Sequence, residues 1–129
     1  MGVTLRLQSP YVLTVAEAMK VEAAKQGIDL VFLDSARSVT TELDQVENLI
    51  SQKVDLVVMD PVDQKTSQPA AKLINKAGLP LVLLNNKFTA DFTSNGGKFV
   101  TYVGSDDKEA GEIQGQYLAD KLPDGGNVV

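Results

Sequence analysis

Hydrophobic residues in this chain come in short unbroken runs that each stop at a polar residue. Leu30-Val31-Phe32-Leu33 ends in Asp34-Ser35, Leu56-Val57-Val58-Met59 in Asp60-Pro61, and Leu81-Val82-Leu83-Leu84 in Asn85-Asn86. A strand that is apolar on both faces needs cover on both faces, which a parallel sheet between helices provides. Val3-Thr4-Leu5-Arg6-Leu7 is rich in strand formers and stops at Gln8-Ser9-Pro10, and Phe99-Val100-Thr101-Tyr102-Val103 is more amphipathic and suits a sheet edge. Between the runs the period changes to that of a helix. Val12, Val15, Ala16, Met19 and Ala23 form a stripe over residues 11–26, stopped by Gly27. Leu43, Val46, Leu49 and Ile50 form a second stripe, with Thr40 or Thr41 placed to cap it. The segment from Asp63 to Ala77 is a third helix, regular from about Gln68 because Pro69 fits only a first turn.

A long connection from Asn85 to Lys98 carries Phe88, Phe92 and the turn signal Asn95-Gly96. Asp106 and Glu109 have the spacing of a capping box, and the helix they open is expected to bury Ala110, Ile113, Tyr117 and Leu118. Gly111 and Gly115, one turn apart, would let it approach a neighbour closely. Pro123-Asp124-Gly125-Gly126 is a turn, and Asn127-Val128-Val129 reads as the opening of another strand. Five strands alternating with four helices predict an α/β fold: a doubly wound parallel five-stranded sheet in three α/β/α layers. Its expected strand order is the flavodoxin-like, Rossmann-like 2-1-3-4-5.

Length and composition narrow the chemistry. At 129 residues one domain is expected. The formal net charge of −5 comes from scattered charges with no basic run, which argues against nucleic acid as a partner. Without cysteine or histidine there are no disulfides, no thiolate or imidazole catalysis and few routes to a transition metal. No apolar run reaches membrane-spanning length, and Met1 leads into a strand without the pattern of a signal peptide.

Several residues invite sharper readings that their surroundings oppose. Asp60 at a strand end suggests a phosphoryl-accepting aspartate, but that chemistry needs an acidic cluster after strand one and a lysine after strand five. Gln8-Ser9 and Gly104-Ser105 stand there instead. Asp34 lies where a dinucleotide fold keeps its ribose-binding acid, yet no Gly-x-Gly-x-x-Gly follows the first strand. Asp106-Asp107 at a helix start suits the helix dipole better than a metal. With no activated nucleophile, phosphate loop, metal or cofactor motif, an enzyme is not expected.

The polar ends of the strands are the informative positions, because ligands of open α/β sheets sit beyond the carboxyl ends of the strands. A carboxamide donates and accepts in one plane, and an aromatic face covers apolar C–H surface, so these positions suit a small polar molecule. Val103-Gly104-Ser105-Asp106-Asp107-Lys108-Glu109-Ala110-Gly111, continuing to Gly115 and Leu118, resembles the periplasmic sugar-binding proteins of ABC transporters, in the ribose- and galactose-binding group. The resemblance extends to Ser9-Pro10-Tyr11, Val46-Glu47-Asn48-Leu49-Ile50, Met59-Asp60-Pro61-Val62-Asp63 and Leu84-Asn85-Asn86-Lys87.

It implies that residues 1–129 are one lobe, the N-terminal half of a two-lobed protein whose second lobe is absent. It also implies that the sugar contacts fall on Ser9, Tyr11, Asn85 and Asn86. Asn85 fits the galactose type and Asn86 neither type, and Val12 stands where the ribose type often has a second aromatic, which leaves the identity of the sugar open. The implied function is the substrate-binding component of a sugar ABC transporter, periplasmic or extracellular in the parent protein, with a membrane permease as partner. The alternative is the effector-binding lobe of a sensor or LacI-type transcription regulator. Surface left uncovered by a missing lobe predicts self-association, as a homodimer.

Overall fold

The computed structural model describes residues 1–127. Five strands, β1 (Gly2–Leu5), β2 (Val31–Asp34), β3 (Val57–Met59), β4 (Leu81–Leu84) and β5 (Thr101–Val103), form one sheet in the order β2-β1-β3-β4-β5. All four pairings are parallel, with Val3 beside Phe32 and Val58, and Val82 beside Val58 and Thr101. This is the expected doubly wound sheet.

The helices α1 (Pro10–Gln26), α2 (Val39–Ser51) and α3 (Gln68–Lys76) cover it. On one face α2 and α3 bury Val46, Leu49, Ala70, Ala71 and Ile74 against Val57, Met59, Leu81 and Leu83. On the other, Val12 and Ala16 of α1 pack on Val3, Leu5 and Val58. Gly27 closes α1 in the left-handed conformation, φ 67°, where its lack of a Cβ removes the steric penalty.

Local chemistry shifts several boundaries. Leu7 is not in β1, because Arg6 turns to Asp60 and the Leu7 N–H is donated to Asp34 Oδ1 at 3.1 Å instead of to a strand. The cap of α2 is Ser38 rather than Thr40 or Thr41: its hydroxyl accepts from the Thr41 N–H at 3.2 Å. Leu56 lies outside β3, and β5 begins at Thr101 rather than Phe99. The long connection holds a one-turn helix, α4 (Asp91–Ser94), anchored by buried Phe92 with its ring centroid 4.5 Å from that of Phe88.

The largest departure is α5 (Asp107–Lys121). Asp106 caps its start, its Oδ1 accepting from the N–H groups of Lys108 and Glu109, but among the described residues the return bond from the Asp106 N–H to Glu109 that a capping box needs is not made. The helix buries no residue, however. Ile113 and Tyr117 are 63% and 61% exposed, Leu118 is also exposed, and nothing lies against Gly111 or Gly115. Without α5 on the α1 face of the sheet, Val82 and Leu84 stay half-buried and Thr101 and Val103 exposed. The apolar side chains expected to pack on the sheet face solvent instead. Of the expected final strand, Val128 and Val129 lie outside the described residues.

Candidate functional site: the carboxyl rim of the sheet

Because every strand runs the same way, the residues at or just past the strand ends, Arg6, Asp34, Asp60, Asn85 and Gly104, share one rim. A hydrogen-bonded row crosses it from β1 to β5. Asp60 is wholly buried at its centre. Its Oδ2 accepts from Arg6 Nε at 3.2 Å, and its Oδ1 from Arg6 Nη2 at 3.1 Å and Asn85 Nδ2 at 3.4 Å. Burial pushes the Asp60 carboxyl above the ordinary carboxylate range, while Arg6, Asn85 and the Asn86 backbone N–H pull it back.

Asn85 leaves β4 in the left-handed conformation, φ 60°, which asparagine tolerates better than most residues. Its N–H is donated to the Val103 carbonyl at 2.8 Å, and its own carbonyl accepts from the Tyr102 hydroxyl at 2.9 Å. The turn settles the direction of its neighbour. Adjacent side chains on a strand point to opposite faces. Here both carboxamides reach toward β3, since Asn86 Nδ2 is donated to the Pro61 carbonyl at 3.0 Å. Each keeps its side-chain oxygen and a second N–H outside the protein hydrogen bonds given by these contacts.

Beside this row a recess of about 430 Å³ is lined by polar groups, among them Asn85, Asn86, Lys87, Tyr102, Ser105 and Asp106. Lys87 Nζ lies 5.7 Å from the centroid of the Tyr102 ring. The single Tyr102 hydroxyl proton is shared between the Asn85 carbonyl and the Ser105 carbonyl, 3.0 Å away, which brings the segment leading to α5 against the end of β4. Burial holds its phenol above the usual range, with Asp107, Tyr11, Asp106 and Asp60 adding in that order.

Of the four residues singled out from sequence, Asn85 and Asn86 line the recess, whereas Ser9 and Tyr11 stand at the start of α1, outside it. Ser9 holds the cap position of α1 in an extended conformation and its side chain makes no capping bond. Tyr11, in the first turn, is 57% exposed. Because α1 starts directly after β1, Ser9 and Tyr11 stand on the carboxyl side of the sheet but apart from the carboxamides. Sequence reasoning missed Arg6 and Tyr102 and found for Asp60 only the rejected phosphoryl-acceptor role. The available signal was an arginine inside a strand-forming run together with an aspartate ending a fully apolar one, since neither charge is stable at a buried sheet end unpaired. Among the described residues, no cluster of three or more acidic side chains is placed to hold a metal ion.

Comparison with known proteins bears on what this rim is for. Residues 3–129 match the profile of the periplasmic binding protein domain. The chain belongs to the periplasmic binding protein family. Among curated relatives of this periplasmic binding protein, the ribose import binding protein of Bacillus subtilis is 30% identical over 122 residues, 95% of this chain and 38% of that protein. The xylitol-binding protein of Mycolicibacterium smegmatis is 32% identical over 129 residues, 99% of this chain and 35% of that protein. A solute-binding protein of Bacillus halodurans, solved with bound myo-inositol, shares its fold with a TM-score of 0.86 at 30% identity, covering 98% of this chain and 42% of that one. The chain thus spans well under half the length of these relatives. They are binding proteins rather than enzymes, and sugars and polyols are what their names record.

Proposed function

We propose that this periplasmic binding protein chain forms the N-terminal lobe of a sugar- or polyol-binding component of an ABC importer and carries one half of its ligand cleft. What supports the reading is the pair Asn85 and Asn86 on the carboxyl rim of a parallel sheet, where ligands of such sheets are held, with Tyr11 exposed on the same side of the sheet. The carboxamides supply planar donors and acceptors for hydroxyls, Tyr11 an exposed aromatic face, and Ser9 a hydroxyl free of capping duty. In the whole protein a second lobe closes over this rim, and a membrane permease receives the loaded protein.

The exposed α5 supports the two-lobed arrangement. Its apolar stripe finds no partner on the sheet, and Gly104-Ser105-Asp106, pinned by the Tyr102 hydroxyl, directs it away from the lobe. In this reading Gly104 to Asp106 is a hinge segment, and α5 is packing surface for the other lobe.

Isothermal titration with D-ribose, xylitol and myo-inositol tests the half-site. A micromolar site is worth about −8 kcal/mol, so a lobe making half of the contacts is expected to bind only in the millimolar range. Micromolar binding by the monomeric 129-residue chain would refute a cleft shared between two lobes, and no heat with any sugar or polyol would refute the ligand class.

A further inference from the structure

The row across the rim contains a donor and an acceptor that the packing does not use. Arg6 gives Nε and Nη2 to Asp60, and this two-point attachment fixes the plane of the guanidinium. Among the described residues Nη1 has no hydrogen-bond partner, and the side chain is 23% exposed although its carboxylate partner is fully buried. Asn85 gives Nδ2 to the same carboxylate, which leaves its Oδ1 as a free acceptor beside the arginine. Its backbone is held on both sides, by Val103 and by the Tyr102 hydroxyl. One buried carboxylate therefore clamps a forked donor and an acceptor side by side.

We propose that Arg6 is a ligand-contacting residue that acts with Asn85 as a reader of two neighbouring hydroxyls on a neutral sugar or polyol, and that Asp60 is the positioning residue for both. Neighbouring hydroxyls offer lone pairs to the guanidinium N–H groups and a proton to the carboxamide oxygen. Asp60 cancels the charge of Arg6 locally, so the pair donates without selecting an anion; a neutral polyol fits it better than a sugar acid. The pre-set geometry of both groups limits what ligand binding has to order. This inference rests on the sugar-binding reading above and adds a residue and a ligand chemistry to it.

The chain contains two arginines, Arg6 and Arg37, so their side-chain Nε–H signals in a nitrogen-15 correlation spectrum are assigned from a single Arg37→Lys variant. Titration with xylitol, D-ribose and D-gluconate, each to roughly tenfold above a millimolar midpoint, is the experiment. The expected result is saturable movement of the Arg6 Nε–H and the Asn85 side-chain amide with xylitol or ribose, no movement of Arg37, and weaker response to gluconate. Arg6→Lys, which keeps the charge and loses the fork, is expected to weaken the midpoint at least about fivefold while the spectrum stays dispersed. If that variant does not fold, the wild-type Nε–H signal alone decides. Movement of Asn86, Lys87 and Tyr11 amides with Arg6 silent, an unchanged midpoint in Arg6→Lys, or preference for gluconate would overturn the role of Arg6 and leave the sugar-binding reading standing. Silence throughout with every ligand would overturn both.

Discussion

The buried carboxylate of Glu42 gives the most discriminating test of the folded structure. Glu42 lies in the first turn of α2 and is completely buried. Its Oε1 accepts from the Val62 N–H at 2.9 Å, while Oε2 has no hydrogen-bond partner. Burial raises its carboxyl above the ordinary glutamate range, Ser67 and the Val62 N–H oppose this, Asp60 adds to it and Arg6 subtracts. Replacement by glutamine keeps the acceptor for Val62 and the volume but removes the charge. A folded-state pKa above the unfolded one means that the native state binds the proton more tightly. Stability is therefore greatest below the unfolded value near 4.5 and declines as pH rises through the raised folded value.

Above that range the charged oxygen without a partner costs on the order of 1–3 kcal/mol, so Glu42→Gln is expected to be more stable than wild type by about that amount at pH 8. At pH 4 the difference is expected to shrink toward zero. Urea unfolding followed by circular dichroism resolves this: with a slope of about 1.5 kcal/mol per molar, a gain of about 2 kcal/mol moves the midpoint by more than 1 M. A variant that is less stable than wild type at pH 8, with a wild-type midpoint unchanged between pH 4 and 8, would mean that the carboxylate is already compensated and that the burial argument is wrong.

Other outcomes follow from the same coordinates. Arg6→Ala strands the Asp60 charge and is expected to cost about 2–4 kcal/mol, discounted from a fully buried pair because Arg6 is partly exposed; adding Asp60→Leu is expected to recover most of it, read from denaturation midpoints as a double-mutant cycle. Phe92→Ala empties the cluster shared with Phe88 and Gly97 and is expected to cost about 3–5 kcal/mol in thermal or urea unfolding. Tyr117→Asp on α5 is expected to change the unfolding midpoint of this chain by less than about 0.5 kcal/mol, because that side chain packs against no core; a loss of several kcal/mol would place α5 on the sheet after all.

The homodimer expected from uncovered surface follows from the same features. Ile113, Tyr117 and Leu118 of α5, and Val100 and Val103 at the sheet edge, are exposed apolar side chains that would drive it. We propose self-association through that surface in the isolated chain. Sedimentation that shows a strict monomer at high concentration would count against it.

Much of this was legible in the residue order because the signals were local. Unbroken apolar runs of four residues marked three of the strands, although β2 is a half-buried edge strand while the mixed run of β1 is fully buried, and their alternation with helical stripes fixed the parallel, doubly wound topology through the handedness of crossovers. Asn85 and Asn86 were found because they end such a run. The conformation of Asn85 was not, since a left-handed residue leaves no mark when asparagine serves both strand ends and turns.

What the chain by itself determined is the set of elements and the edge of the sheet where polar groups collect, because strand direction and periodicity depend on near neighbours. What only the tertiary structure decided is which polar groups meet there. Arg6 and Asp60 are separated by 54 residues and joined only by the pairing of β1 with β3. The fate of α5 was decided in the same way: its apolar residues predict packing on the sheet, but the path of the three residues after β5 carries the helix away from it.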